Sequence, residues 1–362
     1  MQKLFESKKQ CFGCSACQNV CPCDAVVMKA DAEGFLYPEI REEKCVGCGK
    51  CVDVCPIGKS FGSDKPKAYA MRTNDAKLLS ASTSGGAFSL IAKYILQKGG
   101  IVCGAVFDAD LTVKHVLSAD ISGMRKSKYV QSDISDCPKE IRDALNQGKT
   151  VLFSGTPCQC HAIKNLFPDN DGLFLAALIC RGVLSPELWK EYLHYLSADS
   201  IPDYFCFRDK RIDNDAHTVA WSINGTERTN EFQRDPFCRI YSKELPLRPS
   251  CYACPYTTPL RDFDFTIGDF WGIKELDPAL DDGKGTSLVL AHSRHAALIT
   301  EEIQKSGEAM VLPADDEKSW MQIALEQPAK ETMLRRFLYK DLNTRDGSGH
   351  CNMELILKKY GF

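Results

Sequence analysis

What the 362-residue chain lacks narrows its class first. No run approaches the roughly eighteen unbroken apolar residues of a membrane-spanning helix. The best stretch, Ala87 to Leu96, is interrupted by Lys93. Met1 to Gln10 is polar and charged, without the apolar centre of a secretory signal, so a soluble, cytoplasmic protein is expected. The net charge is only -3 and no long basic run occurs, which argues against a nucleic-acid partner. The seven histidines fall into no metal-ligand pattern, and His161 and His217 are the two worth following. There is no Ser-His-Asp or Gly-x-Ser-x-Gly arrangement, no Walker A, no dinucleotide G-x-G-x-x-G and no separate C-x3-C-x2-C run. No acid–base or nucleophilic centre can therefore be named, and the catalytic residues stay unassigned.

Cysteine is what the chain has in excess: nineteen, an odd number. Cys11, Cys14, Cys17 and Cys21 precede Pro22, and Cys45, Cys48, Cys51 and Cys55 precede Pro56. This doubled C-x2-C-x2-C-x3-C-P run is the bacterial ferredoxin signature for two [4Fe–4S] clusters. Three thiolates two residues apart wrap one face of a cubane, and the fourth, beyond a turn, reaches the other cluster. The expected ligand sets are Cys11, Cys14, Cys17 and Cys55 for one cluster, and Cys45, Cys48, Cys51 and Cys21 for the other. A disulfide scaffold or paired zinc knuckles are the rival readings. Zinc needs four ligands per site and has no use for a repeated Cys-Pro, and a chain that is not exported keeps its thiols reduced. The implied chemistry is one-electron, low-potential and oxygen-sensitive, suited to anaerobic conditions.

The pattern divides into three parts. Residues 1–62 form the expected ferredoxin module, in which clusters replace a large apolar core as cross-links. Val26 to Met28 and Phe35 to Pro38 read as strands around the Ala32-Glu33-Gly34 turn, and Gly62-Ser63-Asp64-Lys65-Pro66 as a linker. Residues 66–315 alternate. Strands are expected at Lys67–Thr73, Ile101–Phe107, Val113–Leu117, Val151–Ser154 and Leu173–Ile179. Helices are expected at Ala87–Gln97, Pro138–Gln147, Cys160–Phe167 and Pro186–Leu196. Such alternation predicts βαβ units and a parallel or mixed sheet. Residues 200–290 are richer in short strands and loops, and 316–362 read as a helical tail. The fold class is α+β with α/β: a small dicluster ferredoxin module followed by a larger mixed α/β domain.

Cys158 follows one buried strand and Cys180 the next, so in a βαβ unit both emerge at one edge of the sheet, where ligands of open α/β sheets gather. Cys251 and Cys254 supply a C-x2-C chelating pair. Four thiolates converging there would bind a further cluster; the plainer alternative is ordinary buried cysteine. Ser82-Thr83-Ser84-Gly85-Gly86, ahead of a helix, and Thr156, at the start of the Cys158 helix, are candidate phosphate or flavin anchors. Each is equally readable as a capped helix start. Lys126, Lys128 and Tyr129 add positive charge and an aromatic ring, or a solvated basic loop. Gly268-Asp269-Phe270-Trp271-Gly272 reads as a glycine-flanked turn, either a flavin-side wall or a packed corner.

Together these segments resemble the coenzyme F420 hydrogenase/dehydrogenase beta-subunit family, in the arrangement with an N-terminal 2[4Fe–4S] ferredoxin domain. The carrying segments are 82–88, 126–132, 154–159, 179–183, 248–254, 268–272 and 284–288, in order across residues 66–292. The resemblance implies an FAD, with Thr83, Ser84, Gly85, Gly86, Lys128, Tyr129, Gln131, Ser132, Gly155, Thr156 and Gln159 around it. It also implies a third [4Fe–4S] cluster beside the flavin on Cys158, Cys180, Cys251 and Cys254. The implied activity is that of an iron–sulfur flavoprotein oxidoreductase passing electrons between its clusters and an organic hydride carrier through FAD. The alternative is a non-catalytic subunit that relays electrons to a partner enzyme. The implied partners are a redox protein, a ferredoxin or an enzyme subunit, and a small-molecule hydride carrier. Many relatives carry histidine where this chain has Arg181; the substitution is expected to favour an anionic reduced flavin or an anionic substrate.

Overall fold

The computed structural model describes residues 4–59, 62, 64–198, 200–211, 217–345, 347 and 349–362. Ser63 of the expected linker, and Met1, Gln2, Lys3, Ser60 and Phe61 of the expected first module, lie outside the described residues.

The N-terminal module carries an antiparallel hairpin, β1 (Val26–Ala30) and β2 (Leu36–Ile40), in which Ala30 faces Leu36. Gly34 closes its turn at φ 81°, a left-handed conformation that favours glycine. Single-turn helices at Ala16–Asn19 and Lys50–Asp53, one within each cysteine run, pack on one another.

The larger part is built on a mixed sheet. Its strands are β3 (Lys67–Thr73), β4 (Ile101–Phe107), β5 (Val113–Ser118), β6 (Val151–Gly155) and β7 (Leu173–Leu178). A small antiparallel sheet of β8 (Tyr204–Cys206), β9 (Thr218–Ile223) and β10 (Thr226–Glu231) intervenes. The large sheet then gains β11 (Phe265–Asp269), β12 (Ser287–Ala291) and β13 (Ala309–Pro313). Its order is β13-β3-β12-β11-β7-β6-β4-β5. Four consecutive strands, β11, β7, β6 and β4, run parallel, and every other pairing in it is antiparallel. All five residues of β6 are buried, as a central parallel strand requires.

Alternate residues of these strands feed opposite faces. Val102, Leu152, Ala176 and Val289 meet the helices Ala87–Gln97 and Arg294–Lys305. Cys103, Phe153, Leu175 and Ala177 meet the helices Cys137–Asn146 and Pro157–Leu166. A third, aromatic core gathers Trp189, Tyr192, Phe205, Phe207 and Phe237. It also holds Phe35 and Tyr37 from the hairpin and Leu338, Tyr339 and Ile356 from the tail, so the first module and the tail share one core with the middle of the chain. No helix among the described residues is long and apolar enough to cross a membrane.

The expected strand Lys67–Thr73 and the helices Ala87–Gln97 and Pro186–Leu196 coincide with those observed. Ser185 caps the last helix, accepting from the N–H groups of Glu187 (3.1 Å) and Leu188 (3.3 Å), with Pro186 in the first turn. The helix expected from Cys160 instead begins at Pro157, because Gln159 reaches back to accept from the Thr156 N–H at 3.0 Å. The expected turn at 268–272 divides. Gly268 and Asp269 finish β11, Phe270 is buried, and Trp271 is 65% exposed.

Candidate functional site

All nineteen cysteines are free thiols, and the eight of the doubled run fall into two groups. One small cavity is lined by Cys11, Cys14, Cys17, Cys51 and Cys55; another by Cys21, Cys23, Cys45, Cys48 and Cys51. Each of the two expected sets lies together at one of these cavities, Cys51 borders both, and Cys23 adjoins the second. Burial, and then the charge of Cys17, Cys11 and Cys55 around it, pushes the Cys14 thiol well above the ordinary range. Burial and the same neighbours push Cys17 up to about 12. Such a donor set is stable as thiolates only around metal. Burial also opposes charge on Cys21, but the N–H groups of Cys23, Ala25 and Val26 donate to it and bring its thiol below the ordinary value. The two groups differ in setting. Cys45 and Cys48 are exposed, with Val46 69% exposed between them, whereas Cys11 is buried against the larger domain.

The inner group docks on the helix that Cys158 opens. Ala16 and Val54 pack against Ala162, Asn165 Nδ2 donates to the Val54 carbonyl at 2.9 Å, and Ser15 Oγ lies 3.2 Å from Ser135 Oγ. Beyond them Phe12 meets Tyr256 edge-on, centroids 5.5 Å apart, in the same apolar cluster as Cys14, Cys158 and Cys254. His161 Nδ1 lies 2.8 Å from the Tyr256 hydroxyl, and burial pulls this imidazole down to about 4.

Cys158, Cys180, Cys251 and Cys254 come together. Burial, then Cys158 and Cys254, pushes Cys180 up to about 12; burial, then Cys180, Cys254 and Cys158, pushes Cys251 well up; burial and Cys158 push Cys254 up to about 11. Thr156 Oγ1 lies 3.2 Å from Cys158 Sγ and eases its charge. Among the described residues no three His, Cys, Asp or Glu side chains form a site for a single metal ion. Four thiols, one for each iron corner, are the donor set that a cubane takes. Of the other cysteines, Cys103, Cys137, Cys160, Cys206, Cys238 and Cys351 are buried.

Cys180 is also part of the wall of a cavity of about 520 Å³, a size usual for a cofactor or drug-sized ligand. The cavity lies at the carboxyl edge of β6, β7 and β11, where the loop after β3 and the start of β12 also arrive. Of the residues placed around an FAD by resemblance, Thr83, Ser84, Gly86, Lys128, Tyr129, Ser132, Gly155, Thr156 and Gln159 line it. Gly85 and Gln131 do not. A Cβ at Gly85 would sit 2.3 Å from the Met71 carbonyl and 2.6 Å from the Ser287 nitrogen, so this glycine serves the packing of the loop on β3 and β12. Gln131 is turned toward the first module, donating to the Phe12 carbonyl at 3.1 Å.

The basic segment is not a solvated loop. Lys126 Nζ donates to the carbonyls of Ser80 (2.8 Å) and Arg208 (3.2 Å). Lys128 Nζ donates to those of Gly123, Arg125 and Lys126, and burial pulls it down to about 8. Arg181 corrects the expectation placed on it. Its guanidinium pairs with Glu244 through Nε and Nη2 and donates to the Gln327 carbonyl, so its charge is already compensated. The cations in the wall that no carboxylate pairs with, among the described residues, are Arg125, Lys126 and Lys128. Arg125 Nε and His115 Nδ1 are buried without a hydrogen-bond partner. His115 Nε2 lies 3.0 Å from the Ser154 carbonyl, which can only accept, so in the neutral ring Nδ1 is a bare acceptor. Those cations and the first turn of the helix Ala87–Gln97 suit an anionic ligand. Tyr129, Trp271 and Ile323 in the wall suit one that also carries rings.

Sequence reasoning missed Arg125, His115 and Lys210, and gave no role to Arg248, which opens the segment 248–254. Lys210 Nζ donates to the carbonyls of Ser84 (2.8 Å) and Lys284 (2.7 Å) and pins the serine-rich loop. Arg125, His115 and Lys210 stand in no motif, and the one around Arg248 signals its cysteines only.

Fold and thiol groups define an iron–sulfur redox protein. Residues 10–59 match the 4Fe-4S dicluster domain, and residues 148–317 match the family model for the C terminus of the coenzyme F420 hydrogenase/dehydrogenase beta subunit. Residues 148–317 are thus a domain of this family, joined to a dicluster domain on its N-terminal side, an arrangement for electron transfer. The segments at 82–88 and 126–132 lie ahead of the matched stretch. No curated protein matches the chain. Among solved structures, a chain of the F420-reducing [NiFe] hydrogenase complex from Methanosarcina barkeri is similar at 19% identity, with a TM-score of 0.49. That match covers 72% of this chain and 86% of the other.

Proposed function

We propose that the chain is an iron–sulfur flavoprotein oxidoreductase that passes electrons between its dicluster domain and an organic hydride carrier. In this reading a third [4Fe–4S] cluster is held by Cys158, Cys180, Cys251 and Cys254, and FAD occupies the adjoining cavity. The observation that carries it is the double place of Cys180, in the four-thiol group and in the cavity wall.

FAD, when bound, supplies the interchange between one-electron and two-electron chemistry. The chain's own residues supply the rest. Exposed Cys45 and Cys48 present the outer site to a redox partner protein. Phe12 and Tyr256 fill the space between the inner group and Cys158 and Cys254 and keep water out. Arg125, Lys126 and Lys128 hold the anionic part of the cofactor, and the bare Nδ1 of neutral His115 is an acceptor for an N–H or O–H donor of the ligand. Trp271 and Ile323, 65% and 51% exposed at the cavity, offer a hydride carrier an apolar face to stack on. The family's name makes coenzyme F420 the first carrier to test.

Anaerobically purified chain should contain iron for three cubanes, about four each, and one FAD. With reduced clusters it should turn over a hydride carrier. Iron for two cubanes only, or no flavin after reconstitution with FAD, would defeat the reading. A second reading rests on the family's being one of beta subunits: the chain relays electrons and a partner performs the hydride chemistry. Turnover by the isolated chain excludes it; activity only with a partner establishes it.

A further inference from the structure

Arg248 is 1% exposed, and no carboxylate pairs with it among the described residues. Its guanidinium donates to neutral acceptors only: Nε to the Cys11 carbonyl at 3.0 Å, Nη1 to Gln131 Oε1 at 2.8 Å and Nη2 to the Leu36 carbonyl at 2.8 Å. Nη2 also lies 3.8 Å from Cys11 Sγ, and the Tyr37 ring stacks at 4.4 Å. The place is built for it. Gly13 carries no side chain where a Cβ would meet Nη1 at 2.7 Å. Of the other strongly buried arginines, Arg335 and Arg208 have acids beside them, Glu33 and Asp269. Arg261, 2% exposed, donates to neutral acceptors only, and its charge acts on Cys180, Cys254 and Cys160, away from Cys11.

A buried cation without an anion is strongly unfavourable, so the anion belonging to Arg248 must be something the protein acquires. The thiol groups say what. On one side the guanidinium touches Cys11. On the other its charge reaches Cys158, and its own carbonyl accepts from the Cys251 N–H at 2.9 Å. A cysteine-ligated cubane is an anion and gains one further negative charge on reduction. A fixed cation in a low-dielectric setting stabilises that added charge.

We propose that Arg248 is the shared counter-ion of the inner dicluster site and the four-thiol group, raising the reduction potentials of both and leaving the outer site unaffected. The half of this that concerns the four-thiol group rests on the third-cluster reading; the half that concerns Cys11 does not.

The test is a potentiometric titration of the cluster-loaded full chain, followed by EPR. Arg248→Gln should keep the wild-type iron content while the midpoints of two clusters move to more negative potential and the outer one stays. Arg248→Lys should recover most of the shift. Gln131→Glu, which keeps the arginine but sets a carboxylate against Nη1, should move the same two midpoints in the same direction; it carries the test if Arg248→Gln loses iron. Unmoved midpoints in both variants, or an equal shift of all three clusters, overturn the proposal. If the wild-type chain holds iron for two cubanes only, the third-cluster reading fails. The inner midpoint must then still move, and its standing still overturns the counter-ion.

Discussion

Cys23 and Cys254 stand in similar local company, two and three residues from another cysteine, yet the structure gives them different work. Cys254 belongs to the four-thiol group, whereas Cys23 stands outside the doubled run and donates its backbone N–H to Cys21. Cys254→Ala should lower the iron content by about four atoms per chain, and Cys23→Ala should leave it unchanged, by metal analysis and EPR. Equal loss in both would show the ligand assignment to be wrong. At Gly85 the expected role, access to phosphate, gives way to packing. Gly85→Ala should lower stability by about 1–3 kcal/mol through overpacking against Met71 and Ser287, read as a lower Tm with or without added FAD. A loss confined to flavin occupancy would restore the phosphate role. Arg181 carries the same lesson. Its letter promises a free cation, and Glu244, sixty-three positions on, cancels it.

Among elements, the hairpin β1–β2 and the helix Met333–Leu342 hold the first module to the rest. Arg335 donates through Nη1 and Nη2 to the Glu33 carboxylate, at 2.9 and 2.5 Å, and through Nε to the Leu247 carbonyl at 3.0 Å. Arg335 is 6% exposed, so solvent screens the pair little. Arg335→Ala should cost about 2–3 kcal/mol, since it leaves Glu33 without its partner and breaks charge-assisted hydrogen bonds. The check is thermal denaturation together with limited proteolysis of the first module; an unchanged Tm would show that the aromatic core alone holds the hairpin. Strand and helix positions were legible because period-2 alternation and proline-led helix starts are local signals, as Ser185-Pro186 shows. The start of the helix at Pro157 was not, because it depends on Gln159 folding back onto Thr156.

For the molecule as a whole, buried neutral histidines set an acid limit. Burial pulls His115 and His161 down to about 4 and His292 to about 3, from 6.5. Between these values the unfolded chain binds more protons than the folded one, so this contribution is present near neutrality and is lost as the pH falls through the window. Asp235 and Asp264, raised by burial, work the other way at the acid end. The informative measurement is a difference. From pH 6.5 to 4.5 the wild type should lose stability faster than His115→Phe, by at most about 1.4 kcal/mol per pH unit. Parallel pH profiles of Tm would show that His115 is free to charge in the folded state.

The sequence by itself determined the kind of electron this protein carries, because cysteine spacing decides chelation within a few residues of chain and needs no distant partner. It also determined the strand–helix alternation that brings the Cys158 and Cys180 loops to one edge of a sheet. Only the tertiary structure decided which charges near those thiols are free and which are spent. Arg248 and Cys11 lie 237 positions apart, and Arg335 and Glu33 302 apart. Their meeting follows from the order of strands and from a core shared by hairpin, middle and tail. Local spacing cannot encode a contact whose two halves are placed by the packing of everything between them.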